Sequence, residues 1–282
     1  MELVSNAALA ELHPTFGHPE STDRMVVLQR AFPGFRDAGP AAEEDVLRCH
    51  SARLLEILRS IDAPTYLEPN TVASETSYEA ALLAAGCAVE AARSGGFALV
   101  RPPGHHATPG FAFGFCLLNN VAIAARALQA DGVERVAIVD FDVHHGNGTQ
   151  DIFWDDTTVF YASLHQTGIF PGSGGDHEQR DTTVNVPLAA GSGDAEWLAS
   201  FDERVAPAVQ RFAPDALLVS AGFDAHEDEG LYLVDMQVTH DGFRLLAERC
   251  SSLAPRIAAV LEGGYNLATL PELVHAALDG FG

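Results

Sequence analysis

The sequence predicts one α/β domain spanning residues 1–282, a doubly wound and mostly parallel sheet with helices on both faces. Two observations lead there. Helical patterns and short apolar runs alternate to the end of the chain, as βα repetition requires. The apolar runs are continuous rather than alternating, which marks strands buried on both faces.

Taken in order, helices are expected over Glu43–Ile61, Ser77–Arg93, Asn120–Ala130, Ala195–Phe212, Asp241–Leu253 and Pro271–Leu278. The second opens with the capping-box pattern Thr76-x-x-Glu79 and stops at Gly95-Gly96. The last begins at Pro271, where a first-turn proline is tolerated. Strands are expected at 97–100 (FALV), 135–141 (RVAIVDF), 159–164 (VFYASL), 216–221 (ALLVSA) and 257–262 (IAAVLE). No repeat, low-complexity tract or Pro/Gly/Ser-rich linker interrupts them, so no second domain is expected.

Composition removes several chemistries. All 16 basic residues are Arg and none is Lys. A lysine Schiff base is therefore impossible, and so is the lysine of a P-loop or kinase site. With 39 acidic residues the formal net charge is -23. That excess opposes direct nucleic-acid binding, which needs cations against phosphates, and it suits cationic substrates. Cys49, Cys87, Cys116 and Cys250 lie far apart with no CxxC pair, so they read as reduced thiols of a cytoplasmic protein. Neither a signal peptide nor a membrane span is expected.

The segments that follow the strands are RPPGHHA, DVHHGNG, HQTGIFPG, GFDAH and GGYN. Ligands of open α/β sheets sit beyond the carboxyl ends of the strands, so five strands deliver polar side chains to one edge. Asp142 and His144, two apart at a strand end, point the same way and can reach one ion. Asp224 is the best candidate for a third ligand, giving one imidazole and two carboxylates with a position left open for water and substrate. His105 and His106 follow the stiff turn Pro102-Pro103-Gly104 and suit general acid or base work. Asp140 is placed to orient one imidazole, and Tyr265 on its Gly-Gly turn to donate to an oxyanion.

Six ordered blocks carry a resemblance: RPPGHHA (101–107), GFCLLNN (114–120), VDFDVHHGNGTQ (139–150), SLHQTGIFPGSGG (163–175), SAGFDAH (220–226) and LEGGYN (261–266). HPTFGHPESTDR (13–24), EDVLRCHS (44–51) and TSYEAALLAAG (76–86) extend it over nearly the whole chain. Together they resemble the histone deacetylase family, which includes acetylpolyamine amidohydrolases and bacterial acetoin-utilisation-type proteins.

The resemblance implies a zinc-dependent amidohydrolase of the arginase/deacetylase fold, with ferrous iron as the other metal to consider. Asp142, His144 and Asp224 match the metal ligands. His105 and His106 match the tandem catalytic histidines, and Tyr265 the oxyanion tyrosine. Gly114, Phe115, Phe170 and Gly264 match the tunnel for the acyl-lysine stem. A structural potassium ion is implied at Asp140, Asp142, His144, Ser163 and Leu164. Asn147 stands where class I members carry Asp; an amide supplies no negative charge, so His106 should be less basic, as in class II and bacterial members. The run HEDEGLYLVDM departs from the family's commoner Gly, Asp and Pro pattern at the tunnel entrance.

The expected reaction is hydrolysis of an N-acetyl amide on a cationic acetylated substrate, either acetyl-lysine in a protein or peptide or an acetylpolyamine. Glu227-Asp228-Glu229 offers negative charge near the entrance for a polyamine's distal ammonium groups. An arginase-type ureohydrolase shares the sheet topology, but RPPGHHA is foreign to it. A scaffold that merely binds acyl groups is disfavoured by the intact set of catalytic residues.

Overall fold

A computed structural model describes residues 1–282. Its strands are β1 (Leu3–Ser5), β2 (Arg36–Asp37), β3 (Thr65–Glu68), β4 (Thr71–Ala73), β5 (Phe97–Ala98), β6 (Val136–Asp140), β7 (Val159–Gln166), β8 (Thr183–Leu188), β9 (Ala216–Ala221) and β10 (Ile257–Leu261). The α-helices are α1 (Thr22–Ala31), α2 (Glu43–Leu47), α3 (Ala52–Arg59), α4 (Ser77–Ser94), α5 (Asn120–Ala130), α6 (Asn147–Phe153), α7 (Asp194–Ser200), α8 (Ala206–Phe212), α9 (His240–Ser251) and α10 (Leu270–Phe281). No helix is long and apolar enough to cross a membrane.

Eight strands form one sheet in the order β2-β1-β5-β10-β9-β6-β7-β8, and every pairing in it is parallel. The chain passes from β5 to β6 leaving two places between them, which β10 and β9 later fill. All residues of β6, β7 and β9 are buried, which is why these runs carry no polar alternation. Helices α4 and α5 pack together over strands β5, β6, β9 and β10. The pair α9 and α10 forms another layer, with Phe243 of α9 meeting Phe141 and Phe223. One continuous cluster of 79 buried apolar residues joins the layers, so there is a single core.

All five expected strands and the general layout are present; β1, β2, β8, α1 and α6 are additional, and three further differences concern the expected helices and the rim of the site. The helix expected over Glu43–Ile61 is two helices, broken around His50 and Ser51. Ser51 accepts the N–H of Leu54 as the N-cap of α3, and its own N–H donates to the carbonyl of Pro109. The helix expected over Ala195–Phe212 is α7 and α8 joined by a π-helical stretch, Phe201–Val205. A separate hairpin, β3–β4, lies outside the main sheet and reaches the rim of the site described next.

Candidate active site

Five strand ends converge as expected. The loop after β6 is folded back on itself by its own carboxylates. Asp140 Oδ1 accepts the N–H of Asp142 at 3.2 Å, and Asp142 Oδ1 accepts the N–H of His144 at 2.9 Å. Asp224, after β9, accepts the N–H of Val143 on Oδ1 at 2.9 Å, while Asp142 Oδ2 accepts the N–H of Gly263 at 2.8 Å. These bonds leave Asp142 Oδ1 and Asp224 Oδ2 facing His144 Nδ1, each at 3.1 Å. The three side chains bring one donor atom each to within 4.8 Å of one another.

Burial opposes charge on His144, yet the two carboxylates push its imidazole up to about 9. A proton is thus drawn to the point between Asp142 and Asp224, the same electrostatic demand a divalent cation would meet. Two buried carboxylates and one imidazole form a donor set that fits such an ion.

The tandem histidines lie beside this group. His105 Nδ1 meets Asp140 Oδ2 at 3.0 Å, and the same oxygen accepts from the Tyr161 hydroxyl at 3.1 Å. Burial disfavours its charge, but Asp142 and Asp140 outweigh that and push His105 up to about 10. His106 Nδ1 meets Asn147 Oδ1 at 2.8 Å. With its Nδ1–H donated to that amide oxygen, Nε2 is left as the proton acceptor. Burial, then the positive neighbours His105 and His144, hold His106 well below the usual imidazole range. It is the neutral member of the pair, and burial with its positive neighbours, not the Asn147 amide, is what lowers it.

A cavity of about 310 Å³ opens onto His105, His106, His144 and Tyr265. Phe115 and Phe170 wall it, and Leu231, Tyr232 and Leu233 stand at its mouth, where Tyr232 is 90% exposed. Gly114 has φ +56°, and a Cβ there would come within 2.6 Å of the His106 ring and 2.8 Å of Phe170, so only glycine fits. The hairpin supports this rim: Glu68 accepts the N–H of Gly114 at 3.2 Å, and the Thr71 hydroxyl that of Phe115 at 2.9 Å. Tyr265 lies edge-on to Phe115 with ring centres 5.6 Å apart, and burial raises its phenol well above the usual range.

Two expectations need correction. Gly264 does not line the cavity: it is buried behind Tyr265, against Phe223 and Leu270, and its φ of +114° serves the turn. Of the acidic run at 227–229, Glu229 points inward, 8% exposed, because the N–H groups of Tyr265 and Asn266 need an acceptor there. Around the expected potassium position, Ser163 pairs with Asp140 across β6 and β7, and its hydroxyl meets His165 Nδ1 at 2.8 Å. The carbonyls of Asp142 and His144 accept no hydrogen bond within the chain, which fits a hard cation there.

Several supporting residues were not singled out as site residues by the sequence. Glu262, after β10, accepts the N–H groups of Gly104 and His105 at 2.6 and 3.1 Å and so fixes the turn that presents the histidines. Buried Arg24 donates to the carbonyls of Glu262 and Gly264 at 2.5 and 2.8 Å. Buried Arg101 pairs with Glu20 through two bonds of 2.8 Å. Each lies in a block that carries the family resemblance, which was the available signal, but their buried bonds depend on partners distant in the chain.

The fold and this constellation define a deacetylase-type hydrolase. A model of the histone deacetylase domain matches residues 18–281, and the chain belongs to that family. It is 42% identical over 314 residues to histone deacetylase 10, chloroplastic, of Oryza sativa subsp. japonica, covering 95% of this chain and 70% of that one. The crystal structure of the HDA15 HD domain superposes with TM-score 0.94 at 34% identity, covering 99% of this chain and 90% of that one. Acetylpolyamine aminohydrolase from Burkholderia pseudomallei gives TM-score 0.86 at 29% identity, covering 100% and 99%.

Proposed function

We propose that this deacetylase hydrolyses N-acetyl amides of the acetyl-lysine type, using one divalent ion held by Asp142, His144 and Asp224. The observation that carries the reading is a single cavity onto which His144 of a carboxylate–imidazole donor set, a neutral histidine and a protonated tyrosine all open. Zinc is the ion we favour, and ferrous iron shares the donor preference. When bound, such an ion polarises the acetyl carbonyl and acidifies water.

The remaining work falls to the chain. His106 Nε2 takes a proton from the attacking water and returns one to the leaving amine, with Asn147 holding the tautomer that makes this possible. The Tyr265 phenol donates a hydrogen bond to the oxyanion. His105 is held beside the reacting centre by its hydrogen bond to Asp140, where it tunes the local electrostatics. Phe115 and Phe170 flank the aliphatic stem of the substrate and keep water from it. Asp140, Asp142, His144, Ser163 and Leu164 would hold a structural potassium ion beneath. Four free, buried cysteines suit a reducing compartment, and the proposal puts the protein in the cytoplasm.

Acetylpolyamines are the second substrate class, supported by the likeness to the Burkholderia enzyme and by the -23 charge. Against them, the mouth presents Leu231, Tyr232 and Leu233, and Glu229 is committed to the protein interior. A panel of kcat/KM values decides. Acetyl-lysine peptides should be hydrolysed more efficiently than acetylspermidine or acetylputrescine; the reverse order would overturn the substrate assignment.

A further inference from the structure

The turn that presents Tyr265 is built from Gly263 and Gly264, a pair with little conformational preference of its own. Its order has to be imposed by bonds from elsewhere. Gly263 is tied on both sides: its N–H donates to Asp142, and its carbonyl accepts from Phe223 at 3.0 Å. Beyond Gly264 the main chain is held by the 227–230 turn. Glu229 Oε1 accepts the N–H of Tyr265 at 2.8 Å, Oε2 accepts that of Asn266 at 3.4 Å, and Asn266 Nδ2 donates to the carbonyl of Asp228 at 2.6 Å. The Tyr265 hydroxyl has no hydrogen-bond partner within the chain. Its aim is set by that backbone, by Phe115 at its edge and by the Arg24 guanidinium 4.8 Å from the ring centre.

Glu229 is a costly residue for the position. Its carboxylate is buried and makes no ion pair; both oxygens serve main-chain N–H groups. An apolar side chain would fill the space without the desolvation penalty but would leave the Tyr265 N–H without its acceptor. From this geometry we infer that Glu229 is a positioning residue for the Tyr265 phenol, acting through the backbone of the glycine turn. The inference rests on the role proposed above for Tyr265.

A double-mutant cycle on the metal-loaded full chain, following acetate release from an acetyl-lysine peptide, tests it. Glu229→Ala should lower kcat about 10- to 100-fold, the scale of an ångström-size misplacement, with KM and bound metal within about twofold. Glu229→Gln, which keeps one acceptor oxygen, should recover much of the loss. In a Tyr265→Phe background the same Glu229 substitutions should change kcat by less than about threefold, because the group being positioned is gone. Equal losses in both backgrounds, or a loss of bound metal, would overturn the inference. If the alanine variant does not fold, Glu229→Leu, which fills the space but offers no acceptor oxygen, carries the cycle in both backgrounds. A wild type that releases no acetate refutes the proposed reaction itself; an active wild type with additive losses refutes only the positioning role.

Discussion

Replacing Gly222 by Ala tests how tightly the metal site is built. Gly222 lies just past β9, and its backbone is not left-handed, so alanine meets no backbone penalty there. The added Cβ would overlap the Asp142 carboxylate and lie 2.5 Å from both Cβ and Cγ of that residue. Ordinary carbon contacts begin near 3.5 Å, so relief needs a shift of about 1 Å. Asp142 cannot yield freely, because its Oδ2 holds the N–H of Gly263 and its Oδ1 the N–H of His144. Overpacking of this kind costs about 1–3 kcal/mol, and disturbing the support of a metal ligand weakens metal binding about 10- to 100-fold. Equilibrium titration against a chromophoric chelator should show that loss in Gly222→Ala. Gly34→Ala, where an added Cβ has nothing within 4 Å, should bind metal as the parent does. A folded Gly222→Ala protein with unchanged metal affinity would refute the reasoning.

Other perturbations separate chemistry from stability. Tyr265→Phe should lower kcat about 10²- to 10³-fold, the usual cost of an oxyanion donor, with metal content by elemental analysis unchanged. Glu20→Ala strips the buried Arg101 and Arg24 guanidiniums of their carboxylate and should cost about 3–5 kcal/mol in denaturant unfolding. His50 gives a pH signature. Its Nδ1 meets the carbonyl of Thr108 at 2.9 Å, its Nε2 accepts the N–H of Asn119 at 2.8 Å, and burial lowers it to about 4. The unfolded chain, titrating near 6.5, binds the proton more readily, so this contribution is complete above about pH 6.5 and is lost as pH falls towards 4. It amounts to about 3 kcal/mol. Unfolding free energies at pH 7 and pH 4.5 should therefore differ less in His50→Gln than in the parent; equal differences would remove His50 from the account.

The central strands and the candidate metal residues were legible from local patterns. Continuous apolar runs mark β6, β7 and β9, and Asp142 and His144 follow directly on β6 at the carboxyl edge of the sheet, although a loop held by Asp140 and Asp142, not strand alternation, turns them together. What stayed hidden depends on partners far away in the chain. Strand β8 alternates weakly and contains Pro187, as befits the sheet edge where it lies. Strand β1 is three residues long and exists by pairing with β2 and β5. The break between α2 and α3 reflects bonds from Ser51 and His50 to residues 108, 109 and 119, and no helical periodicity reports those. Glu229 is one of three adjacent acids in the sequence; only the fold turns it inward while Glu227 and Asp228 stay exposed. The absence of lysine is legible at once and, besides the chemistries it excludes, leaves the protein no lysine side chain of its own to be acetylated.

The central claim is that one bound metal ion and the side chains around it hydrolyse an acetyl amide. The most direct measurement is acetate release from an acetyl-lysine peptide by protein titrated with zinc from the metal-free state. Activity should rise linearly to one equivalent per chain and then level off, and Asp224→Asn should neither retain the metal nor release acetate. Activity independent of added metal, or full zinc binding with no acetate released from any acetylated amine, would contradict the account.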